Sequence, residues 1–465
     1  MNNSLLTNTV MAGALALTLA ATGAETGAQK DWTQKVKNPT DWLSWGADLR
    51  LRNEFLENML SLNPLAAFHD QDYFRFRGRV YATVKPHAKL SLNARVTAEP
   101  RYWNIESFSA VFRNQRGMEW QEGVIDNLNL KWSEMFNLPL TLTVGRQDLM
   151  LMDGWLFMDA TPLDGSRTFF YDAARLALDL KDQKTKIEAI YIEHPAMNDA
   201  WLPPIKHHEY QKAITDQDER GLMLWVNNSA IKELNLDVYG IWKHDSSPVT
   251  AAGIRGNSYT LGGRLSGQVL DNWKYRVEGA YQFGRRQEPR ISPAFNSVNA
   301  CGFNSQISYM IKDPWNNQLH LAYEFLSGDD PATTGTYEMF DPLWARWPRF
   351  SEGYIYSYAQ EIRIAECSNF HRFGPGWTLN PTKKMDISAY YNLLWADETI
   401  PTLAGANPNF SRNGHFRGHY LQAILKYKFC KNASGHLWAE FLWPGDFYTF
   451  QERSTFLRAE VLLTF

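Results

Sequence analysis

Arginine occupies every second position in part of the segment DYFRFRGRVYATVK, residues 72–85. On an extended chain Arg75, Arg77 and Arg79 lie on one face, and mainly apolar residues lie on the other. A guanidinium group is always charged and can bind carboxylate or phosphate through two parallel hydrogen bonds. This segment therefore has the chemistry to recognise an anion.

Two architectures could present such a segment. In a soluble sheet the apolar face is buried in the core and the arginines face water. In a transmembrane barrel the apolar face meets lipid, and the arginines line a water-filled lumen. The remainder of the chain discriminates between these two interpretations.

Length and composition exclude some classes of protein. The chain has 465 residues, of which 44% are hydrophobic, and a net charge of -3. This charge gives no global argument for a nucleic-acid partner. No uncharged stretch after residue 30 approaches the roughly 20 residues of a membrane helix, which excludes a helical membrane protein.

The N-terminus has the pattern of an export signal. Residues 10–21 are apolar and are followed by small residues, as in a signal peptide. We predict a signal peptide over residues 1–28 and one barrel domain over residues 29–465. The first eight residues lack the usual lysine or arginine, so a disordered, alanine-rich tail is the alternative.

Alternation of polar and apolar residues recurs along the chain, whereas helical periodicity is almost absent. Each alternating segment is about ten residues long, the length of a tilted strand that crosses a bilayer. The predicted fold is all-β, a single closed antiparallel transmembrane β-barrel of about 18 strands. The strands are predicted to begin near residues 48, 73, 88, 124, 139, 169, 185, 219, 233, 257, 272, 302, 317, 354, 385, 418, 435 and 454.

The connections between these segments alternate between short and long. The long ones fall near residues 99–123, 148–167, 194–218, 284–299, 327–353 and 396–416. Short periplasmic turns and long outer loops are typical of outer-membrane barrels, and the sequence therefore predicts localisation in the bacterial outer membrane. Residues 367–384 are predicted to form one long turn on the short side, as the exception.

The inward positions of this barrel are rich in arginine. Alternation places these residues in the lumen as candidate substrate-binding groups: Arg50, Arg52, Arg75, Arg77, Arg79, Arg95, Arg175, Arg264, Arg276, Arg363 and Arg458. A constriction of the lumen would concentrate the electric field of these arginines, and the sequence therefore predicts that the channel prefers anions. Acidic residues share the same faces, so the sequence leaves open whether an arginine binds substrate or only pairs with a neighbour. These acids are Asp48, Glu54, Glu99, Asp179, Glu188, Asp237, Glu278, Glu324, Glu361 and Glu460.

Two longer stretches resemble a known family. GRQDLMLMDGWLFMDATPLDGSRTFFYDAARLALDL, residues 145–180, is similar to a segment of the alginate export family, and LSGDDP at residues 326–331 with FDPLWARWPRFSEGYIYSY at residues 340–358 is similar to a second block. The resemblance implies an eighteen-stranded outer-membrane barrel, an arginine-rich lumen, loops that partly plug it, and passage of an acidic exopolysaccharide.

Matching positions in the two blocks are Arg146, Gln147, Asp172, Arg175, Asp329 and Asp330. Arg146 has the parity of lipid-facing residues unless Gly145 forms a bulge. Asp329 and Asp330 could cap a loop, bind a divalent cation or act on substrate. The family implies a long gating turn near the C-terminus, whereas the corresponding residues 430–436 are short here and residues 367–384 are longer. The substrate therefore need not be alginate.

The first functional hypothesis is a passive channel for an anionic saccharide or a small acidic solute, and export is implied only by the resemblance. Its expected partners are outer-membrane lipid, the solute and periplasmic export components, with no nucleic acid. An uptake porin is the alternative, followed by an adhesive or structural barrel with a blocked lumen.

An enzyme is not predicted, because no pair of carboxylates is fixed at a productive separation and no nucleophile or phosphate-binding motif occurs. Neither a cofactor nor a metal is predicted. His194, His207, His208 and Glu209 lack a recognised ligand spacing. Of the three cysteines, Cys367 and Cys430 could pair across the same side of the barrel, the alternative being three isolated thiols, Cys301 included.

Overall fold

We describe a computed structural model of the chain. It describes residues 27–59, 62–109, 112–120, 123–158, 170–197, 202–203, 205, 215–251, 253–289, 292–345, 350–353, 368–399, 409–411 and 413–465. The predicted strand start at residue 354, as well as Arg363, Glu361 and Cys367, lies outside these residues.

Eighteen long strands make up the wall of the molecule. They are β1 (Leu43–Glu57), β2 (Gln71–His87), β3 (Leu90–Ala98), β4 (Val124–Trp132), β5 (Leu140–Gln147), β6 (Tyr171–Leu180), β7 (Thr185–His194), β8 (Asp218–Ile231), β9 (Leu234–Ser246), β10 (Arg255–Val269), β11 (Trp273–Gln287), β12 (Phe295–Met310), β13 (Gln318–Leu326), β14 (Phe370–Thr382), β15 (Met385–Trp395), β16 (Phe416–Cys430), β17 (Ala433–Pro444) and β18 (Ser454–Thr464).

Smaller elements accompany the wall. Among the described residues, one helix, α1 (Gly27–Lys37), precedes β1, and three short strands lie in connections at Arg101–Trp103, Gly117–Glu119 and Thr336–Tyr337. The same residues form two 3-10 turns, Met135–Asn137 and Lys181–Gln183. No helix among the described residues is both long and apolar enough to span a membrane.

The wall is a closed antiparallel barrel. Each long strand pairs with the next in sequence, and β1 pairs with β18 from Asp48↔Thr464 to Glu57↔Thr455. Closure satisfies the edge hydrogen bonds that an open sheet would leave unpaired. The predicted fold and strand number are confirmed.

Burial along the strands shows which face points outward. In β8, Met223 and Trp225 are buried, whereas Leu222 and Leu224 are 50% and 54% exposed. The same inversion recurs in other strands, where leucine and valine lie on the outer surface and charged residues lie inside. A soluble protein would bury these leucines, so the outer surface is suited to acyl chains.

The connections differ in length between the two ends of the barrel. Those at one end contain two to seven residues, and those at the other end contain at least seven, the longest spanning residues 327–369. The predicted long turn at residues 367–384 is wrong, because Phe370–Thr382 is strand β14 and pairs with β13 from Leu326↔Phe370 to Gln318↔Thr378. Only residues 383–384 separate β14 from β15. We refer to the end with short turns as periplasmic and to the other as outer.

A charge on the outer surface should be costly. Replacing Leu261, which is 58% exposed in the middle of β10, by arginine is expected to lower the free energy of unfolding in phospholipid vesicles by about 2–4 kcal/mol. Ser266→Arg on the lumen face of the same strand is the matched control and should have a smaller effect. Equal losses for both variants in a denaturant titration would contradict the assigned orientation.

The N-terminal prediction falls largely outside the described region. Residues 1–26 are not among the described residues, and the domain boundary at residue 28 stays a prediction. At the opposite terminus, the Phe465 backbone N–H donates to the Ala47 carbonyl at 2.8 Å. The last residue is thereby fixed to the first strand.

Candidate functional site

Six of the predicted arginines form one continuous wall inside the barrel. We call Arg50 and Arg52 of β1, Arg75, Arg77 and Arg79 of β2, and Arg458 of β18 the arginine wall. These three strands are neighbours because β18 closes the barrel against β1. All six face the lumen, and five of them are at most 5% exposed, with Arg79 partly buried.

Carboxylates of the same region neutralise most of this charge. Glu99 accepts hydrogen bonds from Arg50 at 2.7 Å and from Arg75 at 2.7 and 2.9 Å. Glu54 lies 2.6 Å from Arg458 and 3.2 Å from both Arg52 and Arg75. Buried cations require such partners, since a charge without one is strongly destabilising away from water.

The arginines at the periplasmic end of the arginine wall have fewer carboxylate partners. Asp48 pairs with both Arg77, at 3.2 Å, and Arg79, at 2.7 Å. The Nε and Nη1 atoms of Arg77 are buried without a hydrogen-bond partner among the described residues. Among the described residues, the six arginines meet five carboxylates, Asp48, Glu54, Glu99, Glu352 and Glu460, and this part of the chain therefore carries one positive charge in excess.

The other predicted arginines face the lumen elsewhere on the wall. Arg175 pairs with Glu188 at 2.7 Å, and Arg264 pairs with Asp237 at 3.0 Å. Arg95 binds Asp126 and Asp148, and Arg276 binds Asp153. Every predicted arginine in the described part of the chain is thus ion-paired, and the binding of substrate by any of them stays a prediction. Arg363 lies outside the described residues.

A segment of the connection between β5 and β6 crosses the lumen. In this inner segment 1, residues 148–158, Asp148 pairs with Arg95 of β3. Asp153 pairs with Arg264 of β10 and Arg276 of β11, strands on the far side of the barrel. Its apolar side chains, including Trp155 and Phe157, are buried against inward residues of the wall.

A second segment joins it from the connection between β13 and β14. In this inner segment 2, residues 338–345, Phe340 stacks on Trp155 with ring centroids 5.7 Å apart. Trp344 lies 5.3 Å from Phe157, and its backbone N–H donates to the Leu156 carbonyl at 3.2 Å. The two segments together fill part of the lumen with a packed apolar cluster.

Asp341 binds inner segment 2 to two strands of the barrel. Its Oδ2 atom lies 3.1 Å from both Lys243 Nζ of β9 and Arg286 Nη1 of β11. The backbone of Asp341 also exchanges two hydrogen bonds of 2.8 Å with the side chain of Gln282. All four residues are nearly inaccessible to solvent, so this contact is an internal latch.

Two glycines of the wall make room for aromatic rings of inner segment 2. A Cβ atom at Gly221 would lie 2.3 Å from the Trp344 ring, and one at Gly302 would lie 2.9 Å from the Phe340 ring. Close packing of this kind leaves no space for a larger residue. The position of inner segment 2 therefore depends on shape as well as on charge.

The residues carried over from the family blocks have structural partners. Gly145 adopts φ of +119°, and Arg146 is fully buried, with its Nε atom 2.9 Å from Asp172. No shift of strand register accompanies Gly145, so a change of backbone conformation, not an inserted residue, turns Arg146 away from lipid. Gln147 donates to the Ala173 carbonyl of the neighbouring strand at 3.0 Å.

The paired aspartates of the second block stabilise their loop. Asp329 accepts the Glu338 backbone N–H at 2.8 Å, and Asp330 accepts that of Ala332 at 2.8 Å. Burial raises the pKa of the Asp329 carboxyl to about 6. Of the three roles considered for this pair, these contacts favour a loop cap.

Metal and thiol chemistry receives no support from the described residues. They contain no group of three or more potential metal ligands close together. His194 is buried at the outer end of β7, and residues 206–214, which include the other two histidines, lie outside the described ranges. Cys301 and Cys430 are free thiols, whereas Cys367 lies outside the described residues.

The family resemblance implied loops that partly plug the lumen, but sequence reasoning did not identify the residues of the two inner segments or the latch formed by Lys243, Arg286 and Asp341. One signal was present, because LMLMDGWLFM at residues 149–158 is too apolar for a loop in water. An apolar connection in a barrel with a polar lumen has only the lumen or the membrane to bury it.

Comparison with known proteins agrees with this architecture. A family profile described as "Alginate export" matches residues 41–461. The chain is similar to the crystal structure of Acinetobacter baumannii OccAB2, with a TM-score of 0.55 and 11% identity over 90% of this chain and 98% of that chain. It is also similar to the crystal structure of the outer membrane protein OprD from Pseudomonas aeruginosa, with a TM-score of 0.52 and 10% identity over 90% of this chain and 94% of that chain. A search of curated proteins finds no match.

Proposed function

Because the chain belongs to the alginate export family and forms an outer-membrane channel rather than an enzyme, we propose that it passes an anionic saccharide or a similar acidic solute. The proposed substrate is an acidic polysaccharide related to alginate, and the proposed direction is export. Periplasmic export components are its proposed partners.

The arginine wall is the observation that carries this proposal. It places six guanidinium groups on three adjacent strands, with one positive charge in excess over the carboxylates of the described residues. A low-dielectric wall around a narrow lumen strengthens the field of that excess charge. Solutes that carry carboxylates should therefore enter more readily than neutral or cationic ones.

Arg79 is the member of the arginine wall best placed to bind a passing carboxylate. Its side chain is 14% exposed, more than that of any other member, and it shares Asp48 with Arg77. A guanidinium can donate to both oxygens of a carboxylate, and its weak hydration helps it to exchange one anion for another. Successive uronate units could move along the wall in this way.

Uptake of small acidic solutes is the second candidate function. The observation that favours it is the crossing of the lumen by inner segments 1 and 2, which pack against each other through Trp155, Phe340 and Trp344. Such a constriction suits a small solute better than a polymer unless the segments move. The third candidate, a barrel with a blocked lumen, predicts no conductance at all.

Replacing Arg75, Arg77 and Arg79 together by glutamine should weaken the anion preference. In planar bilayers, oligogalacturonate should block the wild-type current much more strongly than a neutral maltooligosaccharide of equal length, and this difference should shrink in the variant. The physical reason is that glutamine retains hydrogen-bonding capacity but removes the charge. Equal block of the wild type by acidic and neutral sugars would contradict the proposed substrate class.

A further inference from the structure

Five lysines near the periplasmic opening of the lumen differ from the arginine wall in both exposure and pairing. We call Lys85, Lys131, Lys274, Lys426 and Lys428 the lysine collar. All five are exposed. None of them forms an ion pair with another described residue, in contrast to lysines such as Lys89, Lys186 and Lys243. The deeper arginines, in contrast, are largely buried and all paired.

Strand alternation places the collar inside the barrel at its periplasmic end. Lys85 continues the inward row of Arg77 and Arg79 along β2, and Lys274 continues that of Glu278 and Arg276 along β11. On β16, Lys426 and Lys428 follow the buried Gln422 at intervals of two residues. Lys131 follows Asn129 in the same manner on β4.

The collar surrounds the opening and borders a cavity. Its members come from β2, β4, β11 and β16, so they are distributed around the barrel. A cavity of about 390 Å³ lies at the periplasmic end of β15 to β18. Five lysines line this cavity: Lys383, Lys384, Lys426, Lys428 and Lys431.

Acidic residues do not cancel this charge. Asp179 and Asp386 are the exposed inward carboxylates at this end, and Glu460 in the cavity is already bound by Arg52. The eight periplasmic turns contain eight lysines against five carboxylates. In the described residues of the outer connections the carboxylates greatly outnumber the cationic side chains. In the described residues, the periplasmic turns therefore carry net positive charge and the outer connections carry net negative charge.

We propose, building on the function proposed above, that the lysine collar and its cavity are the capture site through which a polycarboxylate enters the channel from the periplasm. Lysine suits this role because its compact, hydrated charge on a flexible stem attracts an anion without clamping it. The described outer connections offer no comparable group of exposed, unpaired lysines. Capture from the periplasm is then faster than capture from outside, as the proposed direction of export requires.

The test compares the two sides of single channels of known orientation in a planar bilayer. Oligogalacturonate added on the periplasmic side should block with an association rate on the order of tenfold higher than on the outer side at low ionic strength. The difference should disappear in high salt, because screening removes steering by exposed charges. Changing all five collar lysines to glutamine should also remove it.

Two further variants keep the test decisive. Lys426→Gln with Lys428→Gln alters only one strand and should give a partial loss of the asymmetry. Arg113, Arg116, Arg220 and Arg453, exposed arginines of the outer end, are changed to glutamine as the control and should leave the periplasmic association rate unaltered. Equal association rates from both sides, or an unaltered asymmetry in the collar variants, would overturn the capture site alone. Absence of block from either side would overturn the proposed function as well.

Discussion

Replacing Asp341 by alanine is expected to release inner segment 2 and add a larger conductance level to single-channel records. The substitution leaves Lys243 and Arg286 buried without the carboxylate that lies 3.1 Å from each. Breaking a buried ion pair in this way costs about 3–5 kcal/mol. Changing a two-state equilibrium from 1:99 to 99:1 takes about 5.5 kcal/mol. The loss of the ion pair is close to this value and is therefore large enough to populate a conformation in which inner segment 2 is displaced.

A matched control in the same connection isolates the latch. Asp330→Ala removes only a local contact with the Ala332 backbone and should leave the conductance unaltered. Gly221→Val should reproduce the larger level without any change of charge, because its side chain would collide with the Trp344 ring. Gly78→Val, where the added Cβ meets nothing within 4 Å, is the corresponding control. Wild-type conductance in both Asp341→Ala and Gly221→Val would show that inner segment 2 does not restrict the lumen.

Glu54→Gln should lower the stability of the barrel and increase its preference for anions. The carboxylate contacts Arg52, Arg75 and Arg458, so its loss leaves buried cations undercompensated. The free energy of unfolding in vesicles is expected to fall by about 3–5 kcal/mol. The anion preference, measured as a zero-current potential in a salt gradient, should increase because the arginine wall gains net positive charge.

Glu57→Gln on the same strand provides the control for this prediction. Glu57 pairs with Arg453 at 3.6 Å, and both side chains are more than 40% exposed. An exposed pair of this kind contributes at most about 1 kcal/mol. A stability loss for Glu54→Gln no larger than that for Glu57→Gln would show that the buried network is not a structural support.

The barrel was largely predictable from sequence because a lipid-facing surface imposes strict alternation on each strand. The strand β14 was the exception, since its Gly374, Pro375, Gly376 and Pro381 are typical of turns. The structure explains the glycines by their neighbours: a Cβ at Gly376 would lie 2.4 Å from the Tyr390 ring on β15. Such contacts join residues of different strands and leave no mark on the local pattern.

The candidate site was predictable only in part. Parity along the strands placed Arg50, Arg75 and Arg458 correctly inside the barrel. Their pairing with Glu54 and Glu99 depends on strand register and on closure of β18 against β1. The path of the inner segments depends on packing against distant strands, which alternation does not encode.

The measurement that tests the central claim most directly is the zero-current potential of the purified wild-type protein in a planar bilayer under a potassium chloride gradient. The sign and size of that potential report which ion the lumen prefers. The arginine wall and the lysine collar predict a potential whose sign shows that chloride permeates more readily than potassium. A conducting channel that prefers potassium, or the lack of any conductance, would contradict an anion-selective channel.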